Sequence, residues 1–458
     1  MKRLTIILTI VFIAITSCQD KLDEYAMNPN APAVASAPLL LSATEVSTFA
    51  AQTGDIARVT SLFDQHVAGT NFQYATYARY IYNEGDVLNN WQTIYAGALI
   101  NAKTLLDTYG AGSPYYDGIG KILYAINLGT ATDLWGDVPD TDGFNGKEGS
   151  YSVKYDTQEQ IIARIQTMLD EAIADFAKTP SDNLFVPAND DIIFGGNILF
   201  WKRAAYIVKA RYANRLSQID PAGSANQALT FLAAADLTAK ETGDMKALFF
   251  NVNTNFNQWA AFQSNRGGYI QMGEVFINLM KAGNDPRLPF FATKDAAGGY
   301  SGTPVNDQVT VSTSKFGPGI ASNTSPLPMV TYSEAKFIEA EANLRLGNAG
   351  AAAAAYNEAI KASLRSVTGA EDPTFVANFA SATSVTLQQI ITQKYIALFT
   401  QIEPYNDWRR TGFPVLVPNS NGQPPQIPLR FPTSIDERLY NPQAVVTNDL
   451  SVPVWWDK

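Results

Sequence analysis

Apolar residues recur at intervals of three and four along most of the chain, the period of an amphipathic helix. Trp91, Tyr95, Ala98, Leu99, Ala102, Leu105 and Leu106 fall on one helical face, and Gly110, Gly112 and Pro114 end that run just after Tyr109. A second helical run over 115–134 follows at once, which predicts a helix, a short turn and a return helix. The same grammar returns in 157–178 with 198–217 and in 332–346 with 350–365. The pattern predicts a mainly α protein made of helical hairpins.

The last of these hairpins carries a sharper signature. Ala340, Gly347, Ala352, Tyr356 and Ala359 stand seven, five, four and three residues apart, the spacing at which tetratricopeptide repeats place their small and large packing residues. An alanine-rich helix also offers many chance matches, because Ala351 to Ala355 form an unbroken run. Two long segments interrupt the helical period. Residues 295–331 are dense in Gly, Ser, Thr and Pro, and 412–432 contains Pro414, Pro418, Pro424, Pro425, Pro428 and Pro432. Loops of that length in a compact domain are usually functional or disordered. They are expected to be excursions from the scaffold with short helices and few strands, a second lobe of one body over 41–458. Length alone suggests about three domains, but no clear linker divides the chain.

The N-terminus reads as a leader. Lys2 and Arg3 precede an apolar run from Leu4 to Ile15, and Ile15-Thr16-Ser17 lead into Cys18, the only cysteine of the 458 residues. The run falls short of the ~20 apolar residues a bilayer span needs, and its flanks are those of a secretion signal. It resembles a bacterial lipobox, with 1–17 as signal peptide and Cys18 as the lipidated first residue of the mature protein. Two or three acyl chains at ~0.8 kcal/mol per buried methylene hold far better than one. Residues 18–40, rich in Asp, Pro, Asn and Ala, read as a tether.

Composition narrows the partners. With 46% hydrophobic and 17% charged residues the chain is expected to build a large core, and the net charge of −10 comes without a basic cluster longer than Lys202-Arg203 or Arg409-Arg410. Nucleic acid is therefore not an expected partner. No cysteine remains for an internal disulfide.

Few residues here suit catalysis. His66 is the only histidine, so a His/Cys zinc cluster cannot be assembled, and a Ser-His-Asp triad would have to use His66, whose expected place is a helix surface or C-terminal position. Neither Gly120-Lys121 nor Gly146-Lys147 is followed by Ser or Thr, so no P-loop is present. Asp133 and Asp137 flank Trp135 in DLWGD, formally an acid/base pair beside a sugar-stacking ring. The motif sits where a helix gives way to Gly136 and Pro139, and packing of a hairpin end explains it better. No catalytic centre, metal or cofactor is expected.

Binding is better served. A sugar offers C–H faces and a rim of hydroxyls, and so wants aromatic platforms beside amides, carboxylates or guanidinium groups. Residues 71–84, NFQYATYARYIYNE, and 251–271, NVNTNFNQWAAFQSNRGGYIQ, supply that mixture. Tyr74, Tyr77, Arg79 and Asn83 in the first, with Trp259, Arg266 and Tyr269 in the second, are the expected ligand contacts. Core packing competes for the same residues: Tyr74, Tyr77 and Tyr80 recur at three as on a helix, while Phe72, Tyr74, Tyr80 and Tyr82 also fit a strand alternation. Trp455 and Trp456 are expected to dock the C-terminus into the body.

NPNAP at 28–32, DLWGDVP at 133–139, YSEAKFIEAEANLRLG at 332–347, NDWRRTGFP at 406–414 and PVWWD at 453–457, in that order behind the lipobox, resemble the SusD/RagB family, and IPLRFPTSIDERLYNPQAV resembles its SusD-like branch. That resemblance implies an outer-membrane lipoprotein on tetratricopeptide-like hairpins, facing the exterior. Such a protein sits over a SusC-type TonB-dependent transporter and hands it an oligosaccharide or, in some members, a peptide. The family carries DLWGD without known catalysis, which leaves a surface glycosidase as the lesser alternative. The acidic run Asp20, Asp23 and Glu24 is similar to the export tag of such lipoproteins.

Overall fold

The computed structural model describes residues 35–458 apart from 147–148, 253 and 308–309. Cys18, the leader and the tether as far as residue 34 lie outside the described residues. The first described helix, Ala37–Thr53, buries Leu40 and Leu41. Pro38 in the first turn suits this start, because the missing N–H is one the helix leaves unpaired anyway.

Helical hairpins make the scaffold. Ile100–Tyr109 and Pro114–Trp135 form the first, turning through Gly110–Gly112. Gln158–Asp175 and Ile198–Arg215 form the next, and Tyr332–Arg345 with Ala349–Thr368 another. Neighbouring hairpins pack in series: 114–135 against 158–175, 198–215 against Pro221–Ala234, and that helix against 332–345, which in turn meets Leu387–Ala397. A capping box starts two of these helices. Thr157 with Gln160 and Thr386 with Gln389 each exchange side-chain and backbone bonds. In the tetratricopeptide-spaced hairpin, Ala340, Ala352 and Ala359 are fully buried, Tyr356 fills the gap beside Phe337, and Gly347 makes the turn at φ +78°. Small side chains there let the two helix backbones close on each other.

Strands are few and short among the described residues. Val67–Gly69 pairs antiparallel with Ile270–Met272, with Ala68 opposite Gln271, and Met245–Ala247 pairs with Leu327–Val330. The two Pro/Gly-rich segments carry little regular structure beyond Pro318–Ala321 and Leu327–Val330. Hydrophobic packing divides into one large core and a second cluster confined to 337–391.

A buried ion network ties the hairpins together. Arg211 makes a bidentate pair with Glu334 at 2.6 and 2.7 Å, and Arg215 bridges Glu403 at 2.7 Å and Asp133 at 3.1 Å. Arg410 holds both Glu341 and Asp407, and Lys394 reaches Asp407 at 2.7 Å. Burial by itself would raise Asp407, Glu403 and Asp133. Lys394 and Arg410 outweigh it at Asp407, which falls to about 2, and Arg215 with Arg211 keeps Glu403 low, whereas burial prevails at Asp133 and pushes it up to about 6. Arg215 thus serves Glu403 more than Asp133. Asp133, Glu334, Glu341, Asp407 and Arg410 lie in DLWGD, YSEAKFIEAEANLR and NDWRR, while Arg211, Arg215, Lys394 and Glu403 come from outside them, so the motifs that mark the sequence supply much of the network that locks its helices together.

His66 follows a helix end, one of its two expected places, but it is not on a helix surface. It lies beyond the helix Asp55–Phe63, fully buried, with Nδ1 2.7 Å from Asp64 Oδ1, Nε2 2.9 Å from the Tyr395 carbonyl and its ring stacked on Tyr395 at 3.7 Å. Both nitrogens are occupied, and neither is open to a nucleophile. Asp133 and Asp137 are equally committed. Asp133 belongs to the ion network, and Asp137 Oδ1 accepts from Gln158 N at 2.8 Å.

Candidate ligand platform

The two aromatic segments meet at the short ribbon Val67–Gly69 and Ile270–Met272. Beyond the first strand, Asn71 caps the helix Phe72–Tyr77 by accepting from the Phe72 N–H at 2.9 Å. Before the second, Gly268 at φ +85° turns the chain out of the helix Gln258–Asn265. Thr70 closes the junction, donating its N–H to the Tyr269 carbonyl at 2.9 Å and its hydroxyl to the Gly268 carbonyl at 2.7 Å. The ribbon therefore fixes Phe72 and Tyr269 side by side.

Their rings stack, with centroids 4.6 Å apart and planes 26° from parallel. Phe72 is 63% exposed and sits at φ +49°. A bulky residue in the left-handed region costs ~1–3 kcal/mol, and an exposed ring recovers little of that through burial. The Arg266 guanidinium stands 5.5 Å from the Tyr269 ring, a cation–π contact beside the stack. Phe262 supports Tyr269 edge-on at 6.2 Å. What results is a strained, solvent-facing ring step flanked by amide and guanidinium groups: Asn71, Gln73 and Arg266 are all exposed.

Of the residues expected to contact ligand, the structure brings Arg266 and Tyr269 to this step. Tyr74 and Tyr77 do not join them at the surface. Tyr74 is buried and donates to Asp55 at 2.5 Å, and Tyr77 is buried and donates to Asp86 at 2.9 Å. Burial pushes both hydroxyls well up, with Asp55 adding to it at Tyr74 and Asp86 at Tyr77. They hold the platform up from beneath, Tyr74 against Phe262 at 5.2 Å and Tyr77 against Tyr82 at 4.8 Å. Trp259 is a clearer correction: it is fully buried, its indole donates to the Thr53 carbonyl at 2.9 Å, and Phe316 and Phe399 pack on it. It presents no face to a ligand. Arg79 bonds back to the Ala75 carbonyl at 3.3 Å. Asn83 is exposed, but its N–H is committed to Asp86, in a turn where Glu84 pairs with Arg438.

Phe72 was not singled out by spacing, since it shares the stripe of its tyrosine neighbours. The signal available was its position directly after Asn71 at a helix start, where a side chain projects from the element instead of lying along its buried face.

Comparison with known proteins places this architecture. A family model described as starch-binding and associating with the outer membrane, SusD-like, matches residues 29–432. A SusD/RagB family protein of Bacteroides thetaiotaomicron superposes with a TM-score of 0.80 at 23% identity, covering 92% of this chain and 99% of that one. A chitin-binding protein follows with a TM-score of 0.79, 24% identity and coverage of 92% and 100%. A chitin-binding SusD homolog from Flavobacterium johnsoniae gives 0.75, 20% identity and coverage of 91% and 98%. No curated protein matches. With the family model spanning most of its length and the same hairpin architecture throughout, the chain belongs to the SusD-like family.

Proposed function

We propose that the chain is a lipid-anchored nutrient-capture protein without a catalytic centre, whose cargo is an oligosaccharide held on the Phe72–Tyr269 step. The observation that carries this reading is an exposed ring stacked on a second ring and kept there against backbone strain. A pyranose C–H face can rest on Phe72 while Asn71, Gln73 and Arg266 meet its hydroxyls. The family description as starch-binding and the chitin-binding relatives support a polysaccharide fragment as cargo over a peptide. Delivery goes to a SusC-type TonB-dependent transporter, over which acylated Cys18 and the tether hold the body at the cell exterior.

Calorimetry with starch and chitin oligosaccharides and a peptide pool tests the cargo. Phe72→Ala and Tyr269→Ala are expected to lower glycan affinity with the fold intact; undiminished affinity in both removes the step from the site. Release of reducing sugar by purified protein would identify a glycosidase instead. Cys18→Ser should move the protein out of the membrane fraction and abolish co-purification with the barrel.

A further inference from the structure

Two depressions lie on either side of the segment 139–145, just beyond the helix Pro114–Trp135. One, of about 630 Å³, opens among the helices Ile100–Tyr109, Pro114–Trp135 and Gln158–Asp175 and is lined mainly by polar and charged side chains. The other, of about 480 Å³, is lined mainly by apolar ones, Trp91, Tyr95, Ile100 and Phe144 among them. Gly143 borders both, so the two meet across one ridge of backbone. Each falls within the ~300–1,000 Å³ of small-molecule sites, and neither shares a lining residue with the Phe72–Tyr269 step.

The ridge is held in place from below. The Asp156 carboxylate accepts from the N–H groups of Asp140 and Thr141 at 3.1 and 2.8 Å and from the Thr141 hydroxyl at 2.8 Å, and the Tyr95 hydroxyl donates to the Pro139 carbonyl at 3.0 Å. Phe144 stands on this ridge half-buried and at φ +67°, a left-handed backbone that a bulky residue rarely adopts. Its ring extends the stack of Trp91 on Tyr95 at 4.3 Å, lying 6.0 Å from Tyr95 with planes 21° apart, and Tyr124 meets it edge-on at 6.2 Å. A strained backbone thus keeps an aromatic ring at the border between a wet hollow and a greasy one.

Charge in the polar hollow is balanced, with Lys103, Lys121 and Arg164 set against Asp107, Asp117 and Asp140. Lys103 is spent on Asp107 at 3.0 Å and Lys121 on Asp117 at 2.8 Å. The remaining two are not spent on each other. Arg164 donates no hydrogen bond among the described residues and comes only to 3.6 Å from Glu171. Asp140 Oδ1 accepts from the Tyr124 hydroxyl at 2.6 Å, while Oδ2 has no donor among them. The Arg164 charge favours the ionised Asp140, yet the two form no ion pair across the hollow. A free donor facing a free acceptor suits a hydroxyl, which serves both at once. An ionic ligand would meet a like charge for every opposite one, so the balance favours a neutral ligand rich in hydroxyls.

We propose that the two hollows form a second oligosaccharide site, in which a pyranose C–H face rests in the apolar hollow against Phe144 and the hydroxyls of the next unit span Asp140 Oδ2 and the Arg164 guanidinium. The site rests on the reading of the chain as a glycan binder, but it stands apart from the Phe72–Tyr269 step and is tested apart from it.

Calorimetry of the purified full chain with maltotriose and with tri-N-acetylchitotriose tests the site, using a Phe72→Ala/Tyr269→Ala chain to remove the other platform. At least one of the two sugars should still bind that chain. Adding Phe144→Gly should then lower the remaining affinity about twofold to tenfold, the worth of one ring stack, and adding Arg164→Ala should lower it at least about tenfold, the worth of a charged hydrogen bond. Arg164 has no hydrogen bond to lose within the protein, so Arg164→Ala should melt like its parent, and it decides alone if Phe144→Gly fails to fold. Failure of both sugars to bind the Phe72→Ala/Tyr269→Ala chain overturns the proposal, and so does binding there that neither added substitution weakens. If Phe144→Gly and Arg164→Ala weaken binding in the unaltered chain while Phe72→Ala and Tyr269→Ala do not, the ridge stands and the step falls.

Discussion

The Trp456 indole donates to Asp133 Oδ1 at 2.9 Å, joining the last turn of the chain to the end of the helix Pro114–Trp135 across 323 positions of sequence. Arg215 and Arg409 lie over the same indole at 5.3 and 4.6 Å from its centroid. The C-terminal tryptophan is thus both a lid on the buried charges and a donor to one of them. Removing one partner of a buried charge network leaves another unpaired, at a cost of about 3–5 kcal/mol. Asp133→Ala and Trp456→Ala should each lower stability by that order in chemical denaturation. Whatever folded protein remains should bind glycan normally, because neither residue reaches the platform; loss of binding at full stability would contradict a structural role.

Trp259→Ala belongs with these core variants. Truncating a buried tryptophan costs about 3–5 kcal/mol, and the lost indole bond leaves the Thr53 carbonyl without its donor. The variant should melt early. A variant that melts like the parent but loses ligand would return Trp259 to the binding face.

Phe72 should behave in the opposite way. Phe72→Gly removes a side chain from a left-handed residue, so the native fold is expected to keep or gain stability, offset only by glycine's entropy. Stacking contributes about 0.5–1.5 kcal/mol, which predicts a twofold to roughly tenfold loss of glycan affinity. Thermal denaturation and calorimetry on one preparation separate the two effects.

Glu45 gives the fold a pH dependence. It is fully buried, accepts from the Ile192 N–H at 2.8 Å, and burial beside Asp191 raises its pKa from 4.5 to about 10. Unfolded, the group ionises above 4.5; folded, it keeps its proton to about 10. Its stabilising share is therefore complete below 4.5 and is lost as pH rises toward 10, by up to about 1.4 kcal/mol per unit. Glu45→Gln keeps an acceptor for Ile192 and removes the titration. Its melting temperature should match the parent at pH 4 and exceed it at pH 9; parallel curves at both would show Glu45 already ionised in the native state.

Much of this was readable before any coordinates. The three- and four-residue periodicity located the hairpins, and the Ala340–Ala359 spacing marked the tightest of them, because a helix buries one face and the side chains on that face declare it. The docking of Trp456 followed from an apolar pair at a chain end. The burial of His66 is not legible in the sequence: its partners Asp64 and Tyr395 lie two and 329 positions away, and only the near one is local.

The candidate platform divides along the same line. Composition identified two aromatic and polar segments and included the two residues, Arg266 and Tyr269, that reach the surface step. It could not rank the rings within them. Tyr74, Tyr77 and Trp259 share the chemistry of Phe72, and what separates them is burial, fixed by the ribbon that brings Thr70 onto Tyr269. Periodicity and composition determined the helical hairpins and the chemistry available to them, since both are local properties of the chain. Which ring faces water, which carboxylate meets which guanidinium, and that Phe72 pays for its exposure with a left-handed backbone were decided by tertiary structure, because each depends on atoms brought together from opposite ends of the sequence.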